Sequence, residues 1–177
     1  DNDNGNENDN DDDIDNDILQ NLDDFWGAYP KGVWPVTREQ ALIRLDEFVN
    51  GALKPFGPYE DAMLGKEWKL AHSVLSSSLN IGLLHPMEVV RAVEQAYIDG
   101  EAPINSVEGF IRQVIGWREY VWGLYWLWMP EYRSENFLEA NRNIPPAFRE
   151  QGSTEMSCIR GAMDHLHEYA YTPVSYT

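Results

Sequence analysis

Ser73 and Ser76 stand three residues apart near the head of a segment, Leu70 to Leu84, whose leucines and small polar residues predict a helix. The first turn of a helix leaves backbone N–H groups without internal acceptors, at the positive end of the helix dipole. Two hydroxyls beside such amides could hold an anion of the pyrophosphate kind. They could equally do no more than cap the helix, with Ser73 as the N-cap. A second set of chemically capable groups is Gln113, Arg118 and Glu119, which interrupt an otherwise apolar, aromatic stretch. An arginine in such surroundings needs an anionic partner, and its planar fork suits phosphate or the face of a ring. Cys158, the one cysteine, reads by itself as a small apolar side chain.

The elements that must position these groups read as helices throughout. Thr37 and Gln40 form a capping-box pattern before Ala41, Leu42, Leu45, Phe48 and Val49, so a first helix runs to about Gly51. Pro55, Gly57 and Pro58 predict a turn. Pro86 suits the first position of a helix carrying Val89, Val90, Val93 and Ala96 and ending at Gly100. Asn105 and Glu108 form a cap-like pair before a long aromatic helix, Ser106 to Met129, which Pro130 stops. Trp117, Tyr120, Trp122, Tyr125, Trp126 and Trp128 cover more than one face of it. A helix apolar nearly all round is expected to lie buried inside a sizeable bundle. A last helix runs from about Thr154 to Tyr169. No alternating strand pattern occurs, so the fold class is all-α.

Composition bounds the rest. The net charge of −17 is concentrated in residues 1–24, which hold eleven acids and no Lys or Arg. Residues 25–177 keep thirteen basic against nineteen acidic side chains. The Asp/Asn-rich start has almost nothing apolar to bury, so residues 1–24 are expected to be a disordered tail or linker and 25–177 the helical domain. Its acids miss the spacing of a calcium-binding loop. The longest apolar run, Tyr120 to Met129, is ten residues, against the roughly 20 that a membrane span needs. A single cysteine builds no disulfide framework and suits a reducing compartment.

With these motifs in view, Asn105-Ser-Val-Glu-Gly-Phe-Ile-Arg-Gln-Val-Ile-Gly-Trp-Arg-Glu-Tyr-Val121 resembles the central helix of the flavin domain in the photolyase/cryptochrome family. It is most similar to the iron–sulfur-containing prokaryotic branch, whose members act as (6-4) photolyases. Four further segments agree in the family's order: Trp34-Pro-Val-Thr-Arg-Glu-Gln-Ala-Leu42, Phe56-Gly-Pro-Tyr-Glu-Asp-Ala-Met63, His72-Ser-Val-Leu-Ser-Ser-Ser-Leu-Asn80 and Glu155-Met-Ser-Cys-Ile-Arg160. Together they resemble the first half of the helical FAD-binding domain, a partial chain.

The resemblance implies FAD as cofactor. Ser73, Leu75 (through its backbone) and Ser76 would hold the diphosphate, Tyr59 would stand near the same phosphates, and Gln113 and Arg118 would line the flavin pocket. Trp117 would face the cavity that takes a flipped-out lesion. Cys158 would be one ligand of a [4Fe–4S] cluster, which takes four cysteine thiolates; a chain with one cysteine does not supply them. Glu150 stands where the family usually has an electron-relaying Trp, and Pro173-Val-Ser-Tyr-Thr177 stands where the family has a His-His pair. The implied function is light-driven electron transfer from FAD to pyrimidine photoproducts in damaged DNA, the DNA partner being that of the full-length form. The alternatives are a cryptochrome-like photoreceptor and an inactive remnant that binds no flavin. The implied location is cytoplasmic and nucleoid-associated, or nucleus or organelle in a eukaryote, with no membrane.

Overall fold

The structure, a computed structural model, describes residues 34–62, 64, 67, 69–150 and 152–172. The acidic stretch 1–24 and residues 25–33 lie outside the described residues. Helix α1, Arg38–Glu47, starts where the capping box predicts: the Thr37 hydroxyl accepts the Gln40 N–H at 3.3 Å, and Gln40 Oε1 accepts the Thr37 N–H at 3.3 Å. A π turn, Phe48–Ala52, carries the chain straight into α2, Leu53–Tyr59. The predicted turn at Pro55–Pro58 is therefore helix: Ser106, distant in sequence, donates to the Lys54 carbonyl that Pro58 leaves open and accepts the Gly57 N–H.

The predicted helix Leu70–Leu84 shrinks to one short element, α3, Ser76–Asn80. Leu70 (φ 52°) and Val74 (φ 56°) occupy the left-handed region, which a right-handed helix cannot include. Leu75, not Ser73, is the N-cap. Helix α4, Pro86–Ile98, has His85 and Glu88 as a capping box and buries Val89, Val90, Val93 and Ala96. Gly100 (φ 77°) then supplies the left-handed residue that ends it.

The long aromatic helix is three pieces. Helix α5, Ile104–Ile111, starts after Pro103 rather than at an Asn105 cap. A π turn, Arg112–Gly116, leads into α6, Trp117–Trp128. After two short 3-10 turns comes α7, Ser157–Tyr169, beginning three residues later than predicted. No strand occurs among the described residues, so the chain is an all-α bundle.

Its core gathers where α1, α2, α4 and α5 meet. Phe48, Phe56 and Phe110 form an aromatic triad, with ring centroids 4.6 Å apart for Phe48–Phe110 and 5.5 Å for the edge-to-face Phe56–Phe110 pair. Leu53, Leu75, Leu84, Val89 and Val93 close around it. Past Val114 the aromatic helix runs beyond this core. The burial expected for α6 is overturned: none of its residues is buried, and Trp117 is 60% and Trp126 68% exposed. The apolar pattern registers the wish to be covered, and the described residues hold no layer that covers it.

Candidate functional site

The candidate site is an open cavity of about 260 Å³ beside the phenylalanine triad. Four stretches of chain meet there. Phe56 comes from α2, Glu60 and Asp61 follow its last turn, and Phe110 and Gln113 come from α5 and the π turn. The loop His72–Leu75 with Ser76 forms the opposite wall, and Tyr171, just past α7, completes the lining.

The π turn separates Trp117 from Gln113. In an unbroken α-helix Gln113 and Trp117 lie one above the other on the same face. A π turn adds a residue to the winding and rotates the residues after it to a new face. Gln113 lines the cavity, whereas Trp117 and Arg118 line a separate, shallower depression with Val121, Trp122 and Tyr125. Of the positions the family resemblance implies, Ser73, Leu75, Ser76 and Gln113 are brought together. Tyr59 is exposed outside the cavity lining. Cys158 sits exposed in the first turn of α7, and no group of three or more His, Cys, Asp or Glu side chains among the described residues could hold a metal ion.

The loop that presents the serines is held by His72. Its Nε2 lies 2.9 Å from the Glu60 carbonyl oxygen, which can only accept, so Nε2 carries the proton. Nδ1 then faces the Tyr171 hydroxyl at 3.5 Å. Burial pushes the Tyr171 phenol up from its ordinary range. Val74, buried between the two site serines, is β-branched yet left-handed, a conformation that costs on the order of 1–3 kcal/mol and turns the loop sharply at the cavity. The serine hydroxyls and the Gln113 amide can donate to a polar or anionic ligand. The Glu60 and Asp61 carboxylates on the same lining oppose an anion, a feature that serine spacing did not announce.

Sequence reasoning assigned no role to His72, Glu60, Asp61 or Tyr171. Glu60 and Asp61 stand in a quoted motif, and their neighbourhood to Ser73 is a tertiary fact. Tyr171 lies 99 residues from His72, a separation that no local pattern spans.

Over 156 residues, 88% of this chain, the sequence is 43% identical to a (6-4) photolyase of Agrobacterium fabrum. The matched stretch is photolyase-family sequence. The chain spans 31% of that photolyase's length. A second relative, an uncharacterised protein of Acanthamoeba polyphaga mimivirus, is 43% identical over 68 residues, 38% of this chain and 52% of the viral protein. No protein-family profile matches the chain. The photolyase likeness fits an all-α chain in which no helix among the described residues is long and apolar enough to cross a membrane.

Whether the residues present suit FAD divides along the molecule. Ser73, Ser76 and Gln113 converge on one cavity with donors suited to the phosphate end of a nucleotide. Its 260 Å³ falls below the roughly 300–1,000 Å³ of pockets that enclose whole small-molecule ligands. The donor set thus fits part of a dinucleotide. The [4Fe–4S] cluster does not fit this chain, which holds one cysteine.

Proposed function

We propose that this chain forms part of the flavin-binding region of a photolyase-like protein, with Ser73, Leu75, Ser76 and Gln113 cradling the diphosphate of FAD. The observation that carries the reading is the convergence of those four positions on one cavity, in a chain 43% identical to a (6-4) photolyase. Bound FAD would supply light-driven electron transfer to a pyrimidine photoproduct of the (6-4) type. The chain's own part is to bind and orient. The two hydroxyls and the Gln113 amide fix the phosphates, and the Phe56 and Phe110 rings exclude water from one side. Tyr59 and Arg118 are assigned to the same nucleotide, and Trp117 to the lesion, in a form where more of the pocket is assembled. Cys158 is assigned as a cluster ligand on the same terms. A DNA substrate places the protein in the nucleoid, or with the DNA of a nucleus or organelle.

Damaged DNA is a partner of the longer form. Residues 25–177 carry more acids than bases, and DNA affinity rests on neutralising phosphates with Lys and Arg. The small cavity favours a second reading for the chain by itself, that of a remnant with weak or no flavin binding. Titration of the purified chain with FAD, followed by flavin fluorescence, separates the two. Saturable binding that weakens about tenfold or more in Ser73→Ala/Ser76→Ala supports the cradle, since each hydrogen bond to a charged group contributes about 1.5–3 kcal/mol. Equal affinity in that variant overturns the assignment, and no binding at all favours the remnant. A cryptochrome-like photoreceptor is distinguished by blue-light illumination of lesion-bearing DNA, which it leaves unrepaired.

A further inference from the structure

We propose that the C-terminal end of α6 and the turn after it form a binding site for a cationic group, an alkylammonium or guanidinium, held by Trp128, Tyr132, Glu131 and Glu135. The site shares no lining residue with the Ser73–Gln113 cavity and does not rest on the flavin reading.

Trp128 ends α6, and a 3-10 turn, Glu131–Ser134, follows Pro130. Local hydrogen bonds hold that turn. The Arg133 N–H donates to the Pro130 carbonyl at 3.2 Å, and the Glu135 N–H to the Tyr132 carbonyl at 3.2 Å. The Ser134 hydroxyl donates to the Glu131 carbonyl at 2.9 Å. So held, the turn sets Tyr132 against Trp128, with ring centroids 5.6 Å apart and planes tilted by 43°. The two rings, Leu127 and both glutamates line an open cavity of about 420 Å³.

Carboxylates, rings and helix end all give this cavity the same sign. Glu131 and Glu135 bring two carboxylates to one lining, and no ion pair among the described residues neutralises either. The faces of an indole and a phenol ring are the negative part of the ring quadrupole, and they attract a cation within roughly 6 Å of the ring centre. The C-terminal end of α6 adds the negative end of the helix dipole, and its last turn holds no basic residue to offset it. Arg133, next to Tyr132 in sequence, does not line the cavity. Rings whose centroids stand 5.6 Å apart touch each other, so a bound cation lies over a ring face and not between two faces. The other depression on α6 supplies the contrast: it is aromatic too, with Trp117, Trp122 and Tyr125, but the charged residue in its lining is Arg118. Aromatic area alone would draw the same ligands to both places, and the sign of the charge separates them.

The test titrates the full chain with choline and, separately, with 3,3-dimethyl-1-butanol, its neutral carbon isostere, at constant ionic strength. Nitrogen-15 NMR follows the indole N–H signals of Trp128 and Trp122. Choline should shift the Trp128 signal saturably and leave Trp122 in place, whereas the isostere should show no such preference. Glu131→Gln and Glu135→Gln, both at exposed positions and close to the native shape, should each weaken choline binding about two- to fivefold. Tyr132→Leu should weaken it by a similar factor through loss of a ring face. A blocked Gly-Arg-Gly peptide distinguishes the sources of the cation. Tighter binding than choline at the Trp128 signal makes the ligand a basic side chain of a protein, and weaker binding makes it a free ammonium compound. Equal responses to choline and its isostere, equal shifts at Trp122, or unchanged affinity in both glutamine variants overturns the site. So does a Trp128 signal that neither choline nor the peptide saturates.

Discussion

The Ser106 hydroxyl donates to the Lys54 carbonyl at 2.9 Å, supplying the hydrogen bond that Pro58, four residues on, cannot give. A helical carbonyl normally accepts the N–H of residue i+4, and proline has none. The same oxygen of Ser106 accepts the Gly57 N–H at 3.0 Å, so one buried hydroxyl ties α2 to α5 by two backbone groups. Ser106→Ala strands the Lys54 carbonyl and should cost about 1–3 kcal/mol in urea unfolding. The mechanism is checked by a cycle. Pro58→Ala restores an N–H to Lys54, so Ser106→Ala should cost less in that background, and equal costs would sink the explanation.

Gly57 makes the close approach of Ser106 feasible. A Cβ at Gly57 would lie 2.9 Å from Asn105 Nδ2 and from the backbone N and Oγ of Ser106. Two of these atoms belong to a buried serine and cannot swing away. Gly57→Ala should therefore destabilise by about 1–3 kcal/mol, the range of overpacking, despite alanine's better helix propensity. A thermal midpoint equal to or above that of the native chain would show that α5 shifts freely, and with it Phe110 and the cavity wall.

These two positions show how far the residues alone could be read. The starts of α1 at Thr37 and α4 at Pro86 depend on neighbours a turn away, and both lie where local capping rules put them. Pro55, Gly57 and Pro58 satisfy every local rule for a turn, yet the segment is helical, with Ser106, about fifty residues on, completing the hydrogen bonds at Gly57 and Pro58. The serine segment failed in the opposite direction: its composition allows a helix from Leu70, and the left-handed Leu70 and Val74 forbid one. Four of the candidate site residues were legible through the family motif. His72, Glu60, Asp61 and Tyr171 were not, since only the fold brings them to Ser73.

The Glu60 and Asp61 carboxylates share the cavity lining with Ser73 and Ser76. If the cavity takes the FAD diphosphate, these charges repel it, each by about 0.5–1 kcal/mol at partly solvated separations near 10 Å. Glu60→Gln and Asp61→Asn should each tighten FAD binding by roughly two- to fivefold. Raising salt should tighten the native chain and affect the double variant less. Weaker binding in both variants would mean that the carboxylates contact the ligand as acceptors, for example at a ribose hydroxyl.

Arg38 bridges α1 to α4, its guanidinium meeting Glu88 at 2.6 and 3.2 Å and the Leu83 carbonyl at 2.8 Å. The hydrogen bond from Arg38 holds the Glu88 carboxyl below the ordinary carboxylate range. A carboxyl depressed on folding stabilises the native state above its unfolded pKa, and that contribution disappears as pH falls through the folded value. The chain should thus lose stability below the ordinary carboxylate range, and Glu88→Gln should flatten that acid limb while lowering stability at neutral pH. Equal acid slopes for the two proteins, measured by urea midpoints across the range, would assign the limb to other carboxylates.

The aromatic face of α6 offers the most direct optical check. Trp117, Trp122, Trp126 and Trp128 are all exposed, and Trp122 lies nearly parallel to Tyr125 with planes 13° apart. Water-exposed indoles emit at the red end of the tryptophan range, and an uncovered aromatic face binds hydrophobic dyes. The folded chain should show red-shifted emission, ready quenching by iodide and strong dye fluorescence together with a cooperative urea transition. The cooperative transition separates this surface from a molten core, which also binds dye but lacks fixed packing. Val114→Ala, at the point where the helix leaves the core, should lower the urea midpoint and leave the emission wavelength unchanged. A blue-shifted, quencher-resistant spectrum would show α6 covered in solution, with the burial expected of its sequence restored by a surface packed against it.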